Sequence, residues 1–97
     1  MEFEWDEGKA RANLEKHGIG FDEAKHIFDG PVLTRTDDRR DYGEVREISI
    51  GTLSSEATLL VVHTARGQKT RLISARKANR RERAIYYDYL EKTLEGD

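Results

Sequence analysis

Leu59, Leu60, Val61 and Val62 are four consecutive branched apolar residues inside the segment Thr58 to Ala65. A strand with one wet face alternates apolar and polar positions, so a run without alternation calls for cover on both faces. A chain built round such a run needs a sheet with other layers above and below it. The flanking sequence supplies partner strands. Glu44 to Gly51 sets Arg46, Ile48 and Ile50 on one face and Val45, Glu47 and Ser49 on the other. Leu53 to Ala57 is a turn region, Arg66-Gly67-Gln68-Lys69 is a hairpin loop, and Thr70 to Arg76 is the third strand of the meander.

The covering layers come from either end. Phe3 and Trp5 alternate with Glu2, Glu4 and Asp6, which predicts a short first strand with its aromatic side inward. Asp6 is a fit N-cap for a helix running to about His17, with Ala10, Leu14 and His17 on one stripe and Asn13 beside it. Gly18 suits the left-handed residue that ends such a helix. Phe21, Ala24, Ile27 and Phe28 give a second helix its apolar face, and Gly30-Pro31 stops it. Val32-Leu33 is expected to add a little extended structure. Thr34 to Gly43 is rich in Asp and Arg, has Tyr42 as its one apolar residue, and is expected to be a solvated loop. Lys77-Ala78-Asn79 turns the last strand into a final helix, with Asn79 as candidate N-cap and an end near Leu94. The expected order is β-α-α-β-β-β-α, an α+β fold in which helices cover one small antiparallel sheet, as a single domain over 1–97.

Charge singles out one part of this chain. From Arg66 to Tyr86 there are eight basic residues (Arg66, Lys69, Arg71, Arg76, Lys77, Arg80, Arg81 and Arg83) and one acid, Glu82, a formal +7. The remaining residues carry −9, so the overall charge of −2 conceals a focused basic site. The balance argues against a general nucleic-acid coat protein. With no cysteine there is no disulfide framework and no thiolate zinc site. His26 and His63 have no ligand at metal spacing. No apolar run approaches the roughly 20 residues needed to span a bilayer, and the acidic N-terminus is not signal-like, so a cytoplasmic location is the default. Walker, nucleophile-elbow and GxGxxG motifs are absent.

Several residues could carry chemistry. Arg76, at a strand end just before a helix N-terminus, is placed to meet an anion beside that helix's free amides. Arg71, five residues earlier, falls on the opposite face of a regular strand, so the two share a site only if Arg76 already lies in the turn. Glu82, among cations, stays ionised and either orients an arginine or acts as a base; a helix salt bridge is the plainer account. Lys9 and His17 are eight residues apart on one helix face. His17 could exchange a proton near neutral pH, or simply cap the helix C-terminus. Tyr86 and Tyr89 fit the core stripe with Ile85, hydroxyls reaching the surface, while Tyr86 or Tyr87 could instead stack on a base.

Two motifs resemble a known family. Phe3-x-Trp5-Asp6-x-x-Lys9-x-x-x-Asn13-x-x-Lys16-His17-Gly18-x-x-Phe21-x-x-Ala24-x-x-x-Phe28 is similar to the N-terminal half of the BrnT toxins. Ile73-Ser74-Ala75-Arg76-Lys77-Ala78, followed by Arg81-Glu82-Arg83 and a tyrosine, resembles their C-terminal signature. The resemblance covers nearly the whole chain. It departs at Gly30, where the family often has an acid before the proline.

The resemblance implies a RelE-like endoribonuclease toxin of a type II toxin–antitoxin system that cuts mRNA, on or off the ribosome, without metal or other cofactor. It also implies a BrnA-like, DNA-binding antitoxin that covers the basic site within a toxin–antitoxin heterooligomer. It supports Lys9, His17, Arg76, Glu82 and Arg83 as catalytic candidates, and Arg46 more weakly. Lys69, Arg71, Lys77 and Arg80 would track the RNA backbone. The rival expectation is a non-catalytic binding module or corepressor whose basic groove docks an acidic antitoxin segment.

Overall fold

A computed structural model of the chain describes residues 1–95. Its elements are β1 (Glu2–Glu4), α1 (Glu7–His17), α2 (Phe21–Ala24) continued by a 3-10 turn (Lys25–Asp29), β2 (Leu33–Thr36), β3 (Arg46–Thr52), β4 (Thr58–Arg66), β5 (Lys69–Lys77) and α3 (Arg80–Glu95). The five strands form one mixed sheet in the order β1-β5-β4-β3-β2. β1 lies parallel to β5; the other pairs are antiparallel. The branched apolar run sits at the centre, with Thr58 to Thr64 buried throughout.

Two apolar layers flank the sheet. On one face Leu59, Val61, Leu72 and Ala75 pack against Ile19, Phe21, Ala24 and Ile27, with Phe3, Trp5 and Phe28 at the margin. On the other, Ile48, Ile50, Leu60 and Val62 pack against Ala78 and Tyr86, with Tyr89 and Leu90 alongside. The caps follow the sequence. The Asp6 carboxylate accepts from the Lys9 amide at 2.9 Å, and Gly18 closes α1 at φ 71°.

Five expectations are corrected. The sheet is mixed and not antiparallel, because β1 joins the edge of β5 in a parallel pairing. Thr34 to Thr36, expected in the loop, continue the extended stretch at Leu33 as a strand, β2; it pairs with β3 from Leu33–Ile50 to Thr36–Glu47, making the order β-α-α-β-β-β-β-α. Its short alternation, Leu33 inward with polar neighbours, is that of an edge strand. Leu14 is exposed and Asn13 is the buried residue of α1. The reason is local. β1 covers β5 only over Lys69–Arg71, and beyond it the Asn13 side chain completes the edge. Its Nδ2 donates to Ala75 O (2.9 Å) and Ile19 O (3.0 Å), and its Oδ1 accepts from the Ala75 amide (3.0 Å). Ile85 lies half out of the core. The Tyr86 hydroxyl is not at the surface but donates to Pro31 O at 2.7 Å.

Candidate functional site

The N-terminus of α3 is built by a reciprocal cap. Asn79 Oδ1 accepts from the Glu82 amide at 2.8 Å, and Glu82 Oε1 accepts from the Asn79 amide at 2.8 Å. The same carboxylate takes both arms of the Arg76 guanidinium, Nη1 at 2.9 Å and Nη2 at 2.8 Å. Arg76 Nη1 also donates to Lys77 O at 3.2 Å. The Arg76 hydrogen bonds hold the Glu82 carboxyl below its usual range, and Glu82 in turn raises Arg76. Both therefore stay charged at neutral pH, and the fork of Arg76 is fixed in direction.

A groove of about 490 Å³ opens between this helix start and the sheet. Its floor is Leu33, Ile48, Ile50, Leu60 and Ile85; its polar rim is Arg35, Asn79, Arg81 and Glu82. Arg35 comes from β2, in a segment whose polar composition predicts a loop. The sequence signal for β2 is weak, an alternation in Leu33-Thr34-Arg35-Thr36 with a single apolar residue.

A bulge brings Arg71 to this side of the sheet. β5 pairs Val62 with Ser74 but His63 with Leu72, leaving Ile73 extra. A regular strand would place Arg71 and Arg76 on opposite faces; one inserted residue restores the parity. Arg76 pairs with Leu60 and Arg71 with Thr64, two positions of β4 that share a face. Arg76 is still in the strand, not in the turn. With Arg46 on β3 and Arg35 on β2, four arginines from three strands share that face. Three of them have an acid of their own: Arg76 has Glu82, Arg71 binds Glu4 at 2.8 Å, and Arg46 Nε donates to Glu44 at 3.1 Å.

The remaining candidates are dispersed. Arg83 is exposed and its Nη1 donates to Ala78 O at 2.9 Å, bracing the turn into α3. Lys77 and Arg80 are exposed on either side of that turn. Lys69 lies at the far end of β5, eight residues or about 26 Å from Lys77. Lys9 and His17 line a different, shallow groove with Ala12, Asn13, Lys16, Ile73 and Ser74. The two groups do not share a pocket; they are neighbours across β5, where Ser74 precedes Arg76 by two residues.

The sequence matches the family model described as the ribonuclease toxin BrnT of a type II toxin–antitoxin system over residues 5–82. Among solved structures, the chain is similar to the Brucella abortus ribonuclease toxin BrnT, with 25% identity and a TM-score of 0.62. That similarity covers 82% of this chain and 99% of the other. No curated protein matches the sequence.

Proposed function

This chain belongs to the BrnT family of ribonuclease toxins of type II toxin–antitoxin systems, and from that premise we propose that it cleaves mRNA in the groove between α3 and the sheet. The observation that carries this reading is the groove itself: an apolar floor rimmed by Arg35, Arg81 and Glu82, whose carboxylate grips the Arg76 guanidinium. The fold would be a variant of the RelE-like one, with β2 as an added edge strand.

RNA supplies its own nucleophile, the 2′-hydroxyl, so the enzyme must position the backbone, assist a proton and neutralise charge on the phosphorane. The free N–H groups of Arg76 face the scissile phosphate, with Arg35 and Arg81 adding charge across the groove. Glu82, held as a carboxylate and already accepting three hydrogen bonds, is a weak base; it positions Arg76. Proton transfer falls to His17 or Lys9 if the strand wraps over β5 at Ser74. Arg46 is a second phosphate contact. Arg83 acts through the turn it braces. Lys69, Arg71, Lys77 and Arg80 follow the backbone. The reaction needs no metal or other cofactor. The partner that silences the toxin would be a BrnA-like antitoxin covering the basic face in a heterooligomer, and the setting would be cytoplasmic. Among the described residues no helix is long and apolar enough to cross a membrane.

The test is cleavage of a 5′-labelled RNA by the purified chain in EDTA. The expected products carry a 2′,3′-cyclic phosphate or a 3′-phosphate. No cleavage at enzyme excess, either of free RNA in EDTA or with translating ribosomes in a magnesium buffer, would overturn the reading in favour of a docking module for an acidic antitoxin segment.

A further inference from the structure

The loop between β2 and β3 holds an aromatic ring, Tyr42, outside the lining of the α3 groove. The guanidinium carbon of Arg46 lies 4.1 Å from the Tyr42 ring centroid and that of Arg40 lies 5.2 Å from it. The two arginines differ. Arg46 is mostly covered and tied to Glu44, whereas Arg40 is exposed and has no carboxylate partner among the described residues.

The loop that carries the ring is ordered by its own acids. Asp37 is buried and its carboxylate accepts from Arg39 Nε (2.7 Å) and Nη2 (2.8 Å), contacts that hold it well below the usual carboxylate range. The Asp37 amide donates to Arg46 O at 2.7 Å. Asp41 Oδ1 accepts from the Gly43 amide at 2.9 Å, at a position where φ is 73°. Arg39 and Arg46 each pair with an acid, Asp37 and Glu44, which leaves Arg40 as the cation over the ring without a carboxylate partner among the described residues. Arg46 stands two residues along β3 from Ile48, which floors the α3 groove; that is about 7 Å, the step of one extended nucleotide.

We propose that Tyr42, with Arg40 and Arg46, is a stacking site for an unpaired nucleobase of the RNA strand, next to the nucleotide whose phosphate enters the α3 groove. The proposal rests on the reading of that groove as the RNA site. A base stacked on an aromatic ring gains more than an exposed guanidinium does on the same ring. A base can therefore displace Arg40, and the released guanidinium turns to the adjoining phosphate.

The experiment uses the full chain and a fluorescein-labelled 2′-O-methyl oligoribonucleotide, which lacks the nucleophile and stays intact. Binding is read by anisotropy across a salt series. Tyr42→Leu is expected to weaken binding about tenfold with the salt slope unchanged, because stacking releases no counterions. Tyr42→Phe keeps the ring and should bind within about twofold of wild type. Arg40→Gln should lower the salt slope by about one. An abasic oligomer should bind wild type and Tyr42→Leu alike, an arm that holds even if the leucine variant is less stable.

Wild-type affinity in Tyr42→Leu would overturn the proposal. So would equal losses in the leucine and phenylalanine variants, or an equal loss of binding to polyglutamate, which would mark a general anion contact. If wild type cleaves and binds RNA while Tyr42→Leu is unaffected, this proposal alone fails. A wild type that neither binds nor cleaves RNA would overturn both.

Discussion

The two faces of the sheet solve opposite problems. On the α1–α2 face, Phe21, Ile27, Leu59, Val61 and Leu72 close the layer, and the polar groups that enter it are matched inside it. Asn13 makes three hydrogen bonds to backbone. The Ser49 hydroxyl lies 2.7 Å from His63 Nε2 and 2.7 Å from the Thr34 hydroxyl, and Phe28 packs edge-on against the His63 ring. On the α3 face the helix covers only part of the apolar surface, leaving a groove rimmed by Arg35 and Arg81, with Arg76 held by Glu82 at the start of the helix. The first face spends its hydrogen bonds on stability. The second keeps charged donors oriented but reachable, which is what binding a polyanion requires.

The sharpest way to test that division is to remove Arg76. Arg76→Ala should lower the cleavage rate about 10²- to 10³-fold, the usual effect of deleting one donor to a developing oxyanion. Glu82 retains its cap to Asn79, so the melting temperature should hardly move. A folded Arg76→Ala protein that still cleaves and still arrests growth would break the comparison. Asn13→Ala is the counterpart on the closed face. It leaves the Ala75 amide and the Ala75 and Ile19 carbonyls without their partner, at a cost of about 3 kcal/mol. The melting temperature should fall roughly 10–20 °C for a domain of this size. Asn13→Asp, which cannot donate, should fail similarly.

A smaller effect comes with acid. Burial lowers the His63 pKa from its ordinary value of 6.5, against an opposing pull from Glu47. The unfolded chain then binds a proton at a higher pH than the folded one does, so stability is lost as pH falls below about 6.5. Urea unfolding at pH 7.5 and 5.5 should show this loss, and His63→Gln should flatten it. Glu82, depressed below its ordinary 4.5, adds its own loss only in more acidic solution, so the windows separate. The least effect is expected at Leu14→Ser. This residue has the apolar spacing of a core position but is 52% exposed, so unfolding should shift by no more than about 0.5 kcal/mol.

Much of the fold was legible from local rules. The strand before Asp6, the helix it caps, the Gly18 stop, the meander from β3 to β5 and the Asn79 start of α3 each depend on residues within one or two turns of each other. β2 was missed because two threonines and an arginine round Leu33 carry too little apolar signal; the strand exists by pairing with β3. The Ile73 bulge left no trace in the sequence either, since a bulge is a mismatch between two strands and neither one contains it. The same applies to Asn13. Helical periodicity favours Leu14 for the core, but α1 meets the edge of β5, where backbone groups need an amide.

The basic segment and its bias toward anions were fixed by sequence alone, because charge is counted along the chain and does not wait for folding. So were the acid at position 82 and the cap that surrounds it. Tertiary structure decided which charges act together. It gathered Arg35, Arg46, Arg71 and Arg76 on one face from three strands, clamped Arg76 to Glu82, and set Lys9 and His17 in a separate groove. Those groupings follow from register, a one-residue bulge and the path of α3 over the sheet, all of which arise from contacts between residues far apart in the chain.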